Sequence, residues 1–165
     1  MIIGCTGNYR KPEYFTILDK IHQLLEKENV TILVSDDLLK NNDQIIPKHY
    51  ALSDFNTMVD HVKMLFAIGG DGTILSTVRR LGKKQKPIMG IHIGGLGFLS
   101  ECVESNLQNN IKHILKGEHI ISNRMILEIK IQSDEKETVY WALNDFVIDH
   151  GPSARVIKLK VYVSD

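Results

Sequence analysis

Leu65-Phe66-Ala67-Ile68 runs directly into Gly69-Gly70-Asp71-Gly72-Thr73 and on through Ile74-Leu75-Ser76-Thr77-Val78-Arg79-Arg80-Leu81, and this stretch restricts the possible folds more than any other. Four consecutive apolar residues predict a strand buried on both faces, and Ile74, Leu75, Val78 and Leu81 recur at helical spacing. A strand therefore feeds a helix through a glycine loop. Glycines permit positive φ and let a ligand approach main-chain N–H groups with no Cβ in the way. The helix start adds free N–H donors and a partial positive charge, which favours a neighbouring anion by about 0.3 to 1 kcal/mol. The stretch reads as a phosphate cradle.

Asp71 is the odd residue in it. A carboxylate among donors meant for phosphate repels the ligand unless it serves a nearby hydroxyl or shares a metal ion with the phosphates. The plainer alternative is a helix cap within a tight turn. Glycine on both sides of Asp71 favours the functional reading.

The rest of the chain continues the alternation of strand and helix. Ile2 to Asn8 reads as a first strand ending in a small glycine loop, and Pro12 opens a helix with Ile17, Leu18, Ile21, Leu24 and Leu25 on one face. Val30 to Val34 is a second buried strand, followed by a short helical or irregular piece over Asp36 to Asn42. Gln44 to Asp60, broken by Pro47, has no periodicity strong enough to assign. Pro87 to Ile93 forms the next strand and opens onto a second glycine loop, Gly94-Gly95-Leu96-Gly97-Phe98-Leu99. Asn106 to Lys116 reads as a helix stopped by Gly117. Such alternation predicts a parallel sheet with its ligand crevice at the strand carboxyl ends, and both glycine loops facing one cleft.

Beyond Gly117 the period changes to two. Leu127, Ile129 and Ile131 alternate with polar residues, Ser133 to Lys136 supplies a turn, Thr138 to Asp149 runs extended, and Ile157, Leu159, Val161 and Val163 alternate again. The chain is thus expected to divide into an α/β domain over 1–122 and the first strands of an all-β domain over 123–165. Three strands with one apolar face need another layer against them. They are expected to pack on the first domain or on another chain, or to belong to a β domain that is truncated here.

Composition narrows the partners. Of 165 residues, 20 are Lys or Arg and 20 Asp or Glu, so no overall basic field gathers nucleic acid or an acidic membrane. No apolar run approaches the roughly 20 residues of a spanning helix, and the N-terminus lacks the pattern of a signal peptide, so a cytoplasmic location is expected. Cys5 and Cys102 have no CxxC neighbour and read as reduced, semi-buried thiols. The seven histidines show no ligand pair, which argues against a structural metal. No Gly-Lys-Ser or Gly-Lys-Thr follows a glycine loop, and Gly95-Leu96-Gly97-Phe98-Leu99-Ser100 lacks a third glycine. A P-loop NTPase and a standard Rossmann dehydrogenase are therefore disfavoured.

Three segments, in order, carry a resemblance to a known family: Gly69-Gly70-Asp71-Gly72-Thr73, then Gly90-Ile91-His92-Ile93-Gly94-Gly95-Leu96-Gly97-Phe98-Leu99, then Ala142-Leu143-Asn144-Asp145. Together they resemble the N-terminal part of NAD kinases. The first segment alone is shared with phosphofructokinases and with diacylglycerol- and sphingosine-type lipid kinases. The resemblance implies a phosphofructokinase-like α/β domain followed by a β domain that family members continue through a serine- and threonine-rich segment. It implies transfer of a phosphoryl group from ATP or polyphosphate to the 2′-hydroxyl of the adenosine ribose of NAD, giving NADP, with a divalent cation, magnesium by expectation.

By motif position, Asp71 becomes the base or hydroxyl-orienting group, and Gly70, Gly72 and Thr73 the phosphate and ribose cradle. Phe98 walls the NAD site. Asn144 and Asp145 match the family's Asn-Glu pair on NAD, the second with the shorter side chain. Arg155 falls where relatives place a basic or polar contact to the dinucleotide. No metal ligand is assigned. Without the resemblance, Asn144 reads as a polar residue at a strand end, Phe98 as core, and His92 as a hydrogen-bonded core histidine. The expected partners are small-molecule nucleotides, with self-association into a homo-oligomer through the open β edge. A lipid kinase of the diacylglycerol kinase type, or a non-catalytic dinucleotide-binding fragment, remains as an alternative.

Overall fold

Strand and helix alternate along the chain as Ile2–Gly7 (β1), Glu13–Glu26 (α1), Thr31–Ser35 (β2), Ala51–Ser53 (β3), Phe55–His61 (α2), Met64–Gly69 (β4), Asp71–Leu81 (α3), Ile88–His92 (β5), Leu107–Lys116 (α4), Leu127–Ser133 (β6) and Lys136–Ala142 (β7). The computed structural model describes residues 1–41, 49–94, 97–100, 102–133, 136–149, 151–152, 156 and 160–163. The first five strands form one sheet in the order β3-β2-β1-β4-β5, with every neighbouring pair parallel. Parallel neighbours cannot be joined by a tight turn, so the crossovers carry helices and cover both faces of the sheet.

The central strands are apolar on both faces because both are covered. Ile3, Cys5, Phe66 and Ile68 point to one layer, where they meet Ile17, Leu18, Ile21 and Leu25 of α1 and Leu107 and Ile111 of α4. Leu65 points to the other and packs with Phe55, Met58 and Val59 of α2 and Leu81 of α3, while Ala67 meets Ile74 and Val78. Each fully buried Leu, Ile or Phe contributes about 1.5 to 3 kcal/mol of transfer free energy. The apolar face of α1 is thus the expected one, with Tyr14 added to it. At the end of α4, Gly117 takes the left-handed conformation (φ 74°), and Glu118 N–H returns 2.8 Å to the His113 carbonyl.

Four features differ from the sequence expectation. The unassigned stretch before Asp60 holds the short edge strand β3 and the helix α2, whose first turn is capped by Asp54 accepting the Thr57 N–H at 3.0 Å. Gln44 and Pro47 lie outside the described residues. Cys5 and Cys102 are both free and buried rather than half-buried, and burial pushes the Cys5 thiol up to about 12. The extended run from Thr138 stops as a strand at Ala142. Residues 160–163 form no strand, and Val161, Tyr162 and Val163 are exposed; Ile157 and Leu159 lie outside the described residues.

β6 and β7 pair antiparallel, with Ile129 opposite Tyr140 and Glu128 opposite Trp141. The Trp141 side leans on the end of α3. The Trp141 ring borders Gly82, Lys83 lies 5.7 Å from the ring centre, and Lys83 stands 3.9 Å from Glu128. The opposite face carries Leu127, Ile131 and Tyr140, each about 40 % exposed.

Candidate active site

In a doubly wound sheet the crevice opens where successive crossovers leave a strand in opposite directions. Here that point lies between β1 and β4. The chain goes from β1 to β2 on one side, and returns from β3 to β4 on the other. The carboxyl end of β1 delivers Gly7 and Asn8, and that of β4 delivers the Gly69–Thr73 loop. They are stitched together by Asn8 N–H donating 2.8 Å to the Ile68 carbonyl. Above this seam lies a cleft of about 620 Å³, walled by Asn8, Tyr9, Arg10 and Lys11 from one side and by Gly70, Gly72 and Thr73 from the other.

The loop's glycines do two different jobs. A Cβ on Gly69 would lie 2.1 Å from the Thr73 hydroxyl oxygen, so Gly69 lets Thr73 fold back across the loop. A Cβ on Gly70 or Gly72 would meet nothing within 4 Å. None of the three adopts positive φ. Gly70 and Gly72 thus leave main chain open to a ligand at the start of α3, while the conformational freedom expected of them goes unused.

Asp71 is the first residue of α3, and its carboxylate turns away from the cleft. It accepts the Phe98 N–H at 2.8 Å on one oxygen and the Leu99 N–H at 3.0 Å on the other. The Leu99 and Phe98 N–H groups, in that order, lower its pKa, with a smaller contribution from His92. A Cβ on Gly97 would sit 2.3 Å from an Asp71 carboxylate oxygen, so the second glycine loop is shaped to admit this contact. The two glycine loops are therefore clasped through Asp71 rather than lining one cleft together, and the described cleft lining contains no residue of the second loop.

The third motif joins the same neighbourhood through packing. Leu99 and Leu143 both rest on the cluster of Ala67, Ile74 and Val78, so Asn144 and Asp145 follow directly from a residue seated on α3. Both are exposed. Phe98 is 98 % exposed, which overturns its reading as a core residue. His92 is half-buried at the end of β5. Its Nδ1 has no hydrogen-bond partner among the described residues, unlike the satisfied core histidine expected. Arg155 lies outside the described residues, as do Gly95 and Leu96. Among the described residues no group of three or more His, Cys, Asp or Glu could hold a metal ion.

Sequence reasoning missed half of the cleft. Asn8 to Lys11, Asp37 after β2, and Arg80 late in α3 all line it. Arg80 stands 2.5 Å from Asp37 and stacks over the Phe55 ring at 3.7 Å. Thr73, Ser76, Thr77 and Arg80 share the cleft-facing side of α3 as a polar stripe at helical spacing.

Comparison with known proteins gives these motifs a context. The NAD kinase of Clostridium botulinum (strain Loch Maree / Type A3) is 34 % identical over 167 residues, covering 99 % of this chain and 54 % of that protein. The NAD kinase of a Marinomonas species (strain MWYL1) is 29 % identical, covering 99 % of this chain and 55 % of its own length. The chain spans about half the length of the curated relatives it matches. The crystal structure of yeast NADH kinase complexed with NADH superposes with a TM-score of 0.75 at 21 % identity, over 87 % of this chain and 47 % of that one, and so shares the fold. Residues 3–119 match the family model of the ATP-NAD kinase N-terminal domain, and the chain belongs to the NAD kinase family.

Proposed function

We propose that the protein transfers a phosphoryl group from ATP or polyphosphate to the 2′-hydroxyl of the adenosine ribose of NAD, forming NADP. The observation that carries this reading is the Asp71 clasp, which draws the first two family motifs together, with Leu143 of the third packed on the apolar cluster that Leu99 shares. The chemistry is compatible with such a site. A ribose hydroxyl is a very weak acid, and a carboxylate with a lowered pKa is a weak base, so Asp71 does not make an alkoxide before transfer. In a loose phosphoryl transition state, orientation of the hydroxyl and late acceptance of its proton suffice.

In this reading Asp71 orients the hydroxyl, and Gly70, Gly72 and Thr73 offer main-chain donors to phosphate. Phe98, Asn144, Asp145 and Arg155 belong to the NAD side. Magnesium would enter with the donor's phosphates, held by these and by one or two carboxylates rather than by an all-protein cage. The test is an NADP-forming assay with magnesium and either ATP or polyphosphate, beside calorimetric titration of NAD. Binding with turnover supports the kinase, binding without turnover reduces the chain to a dinucleotide-binding module, and binding of neither nucleotide defeats both.

A further inference from the structure

Given the phosphoryl-transfer reading, we infer that Arg80 is a donor-binding residue that grips the phosphate chain together with Arg10 and Lys11, on the opposite side of the Gly69–Thr73 loop from the Asp71 carboxylate. The two sides of the loop differ in charge. Among the described residues the cleft side collects Arg10, Lys11 and Arg80 against the single carboxylate of Asp37, whereas Asp71 is turned to the second glycine loop. Three cations against one anion suit a polyphosphate and not a neutral ribose. In-line transfer requires the donor and the attacking hydroxyl on opposite sides of the moving phosphorus, and a loop with one cationic and one carboxylate-bearing side meets that requirement.

Arg80 is also prepared for the task. A long cationic side chain ordinarily loses rotamer freedom when it seizes an anion. Here that freedom is already restricted by Asp37 at 2.5 Å and by the Phe55 ring at 3.7 Å. The guanidinium has five N–H donors, and a single carboxylate contact and a stacked face leave others to meet phosphate oxygens. Its side chain is still 37 % exposed, so a ligand can reach it. Beyond Arg80 a smaller cavity of about 270 Å³ is lined by Asp36, Asp37 and Asp54, which repel phosphate, so the anionic tract ends at Arg80.

The test is calorimetric titration of inorganic tripolyphosphate, and separately of NAD, into the wild-type chain and into Arg80→Gln, Arg80→Lys and a distant surface control, Lys116→Gln. Arg80→Gln should weaken tripolyphosphate about tenfold or more, as loss of charge-assisted hydrogen bonds implies, and leave NAD nearly unchanged. Arg80→Lys should fall between, because a point charge replaces the fork, and Lys116→Gln should match wild type. In the NADP-forming assay the loss should appear in the KM for the donor. Failure of the wild-type chain to bind tripolyphosphate, undiminished binding by Arg80→Gln, or an equal loss of NAD would overturn the assignment. A wild-type protein that binds tripolyphosphate but forms no NADP from any donor would defeat the kinase reading instead, so the two failures are told apart.

Discussion

Asp71 spends both carboxylate oxygens on main-chain N–H groups of the neighbouring loop, which makes it a clasp as well as the candidate hydroxyl-orienting group. Asparagine offers one acceptor where Asp71 offers two, and no charge. Asp71→Asn should therefore keep NAD affinity while losing turnover by about 10² to 10⁴-fold, and turnover within threefold of wild type would remove Asp71 from the chemistry. The same variant should show a pH signature. A carboxylate with a lowered folded-state pKa adds stability above its ordinary value, near 3.9, and that contribution is lost as pH falls through the lowered one. The stability gap between wild type and Asp71→Asn, followed by circular dichroism, should close below about pH 4; a constant gap would contradict it. Phe98 offers a cleaner separation of fold from function. Its ring is exposed, so Phe98→Ala should change stability by no more than about 0.5 kcal/mol. If the ring walls the NAD site, calorimetry should still record weaker NAD binding.

At the level of elements, the crevice depends on how closely β1 and β4 approach. A Cβ on Gly7 would lie 2.2 Å from the Ile68 carbonyl oxygen and 2.7 Å from the Tyr14 ring, neither of which can withdraw without moving a strand or the core. Gly7→Ala should therefore cost about 1 to 3 kcal/mol in denaturant unfolding and distort the cleft; an unchanged midpoint would show that the strands can part. Periodicity was enough to find β1, α1, β2, β4, α3, β5 and α4, because each is long enough to repeat an apolar position two or three times. It failed at β3 and α2, which are three and seven residues long. The site was legible where a motif is contiguous, as at Gly69 to Thr73. Asn8 to Lys11, Asp37 and Arg80 were not, since they meet only through the strand order, which no local pattern encodes.

For the molecule as a whole, the hairpin of β6 and β7 is the least settled part energetically. It turns its polar side and Trp141 towards α3 and leaves Leu127, Ile131 and Tyr140 facing solvent, with both strand edges unpaired in the described sheet. An isolated two-stranded hairpin is marginal in water, and an apolar face beside open edges invites pairing. Sedimentation velocity should show the chain's mass rising with concentration, and Ile131→Lys should shift it towards monomer; a concentration-independent monomer would rule out this surface as a self-contact. The five-stranded sheet sets a different demand, one of timing. β1 precedes β4 in the chain and yet stands in the interior of the sheet, joined to β4 by Ile3 beside Met64 and Gly7 beside Ile68, about sixty residues later. At ordinary translation speeds that partner follows roughly 3 to 12 s behind. Through that interval a nascent chain presents Ile2, Ile3 and an unclosed strand edge to solvent or to a chaperone. The arrangement that opens the crevice therefore leaves a central strand waiting for β4 before its second edge can be closed.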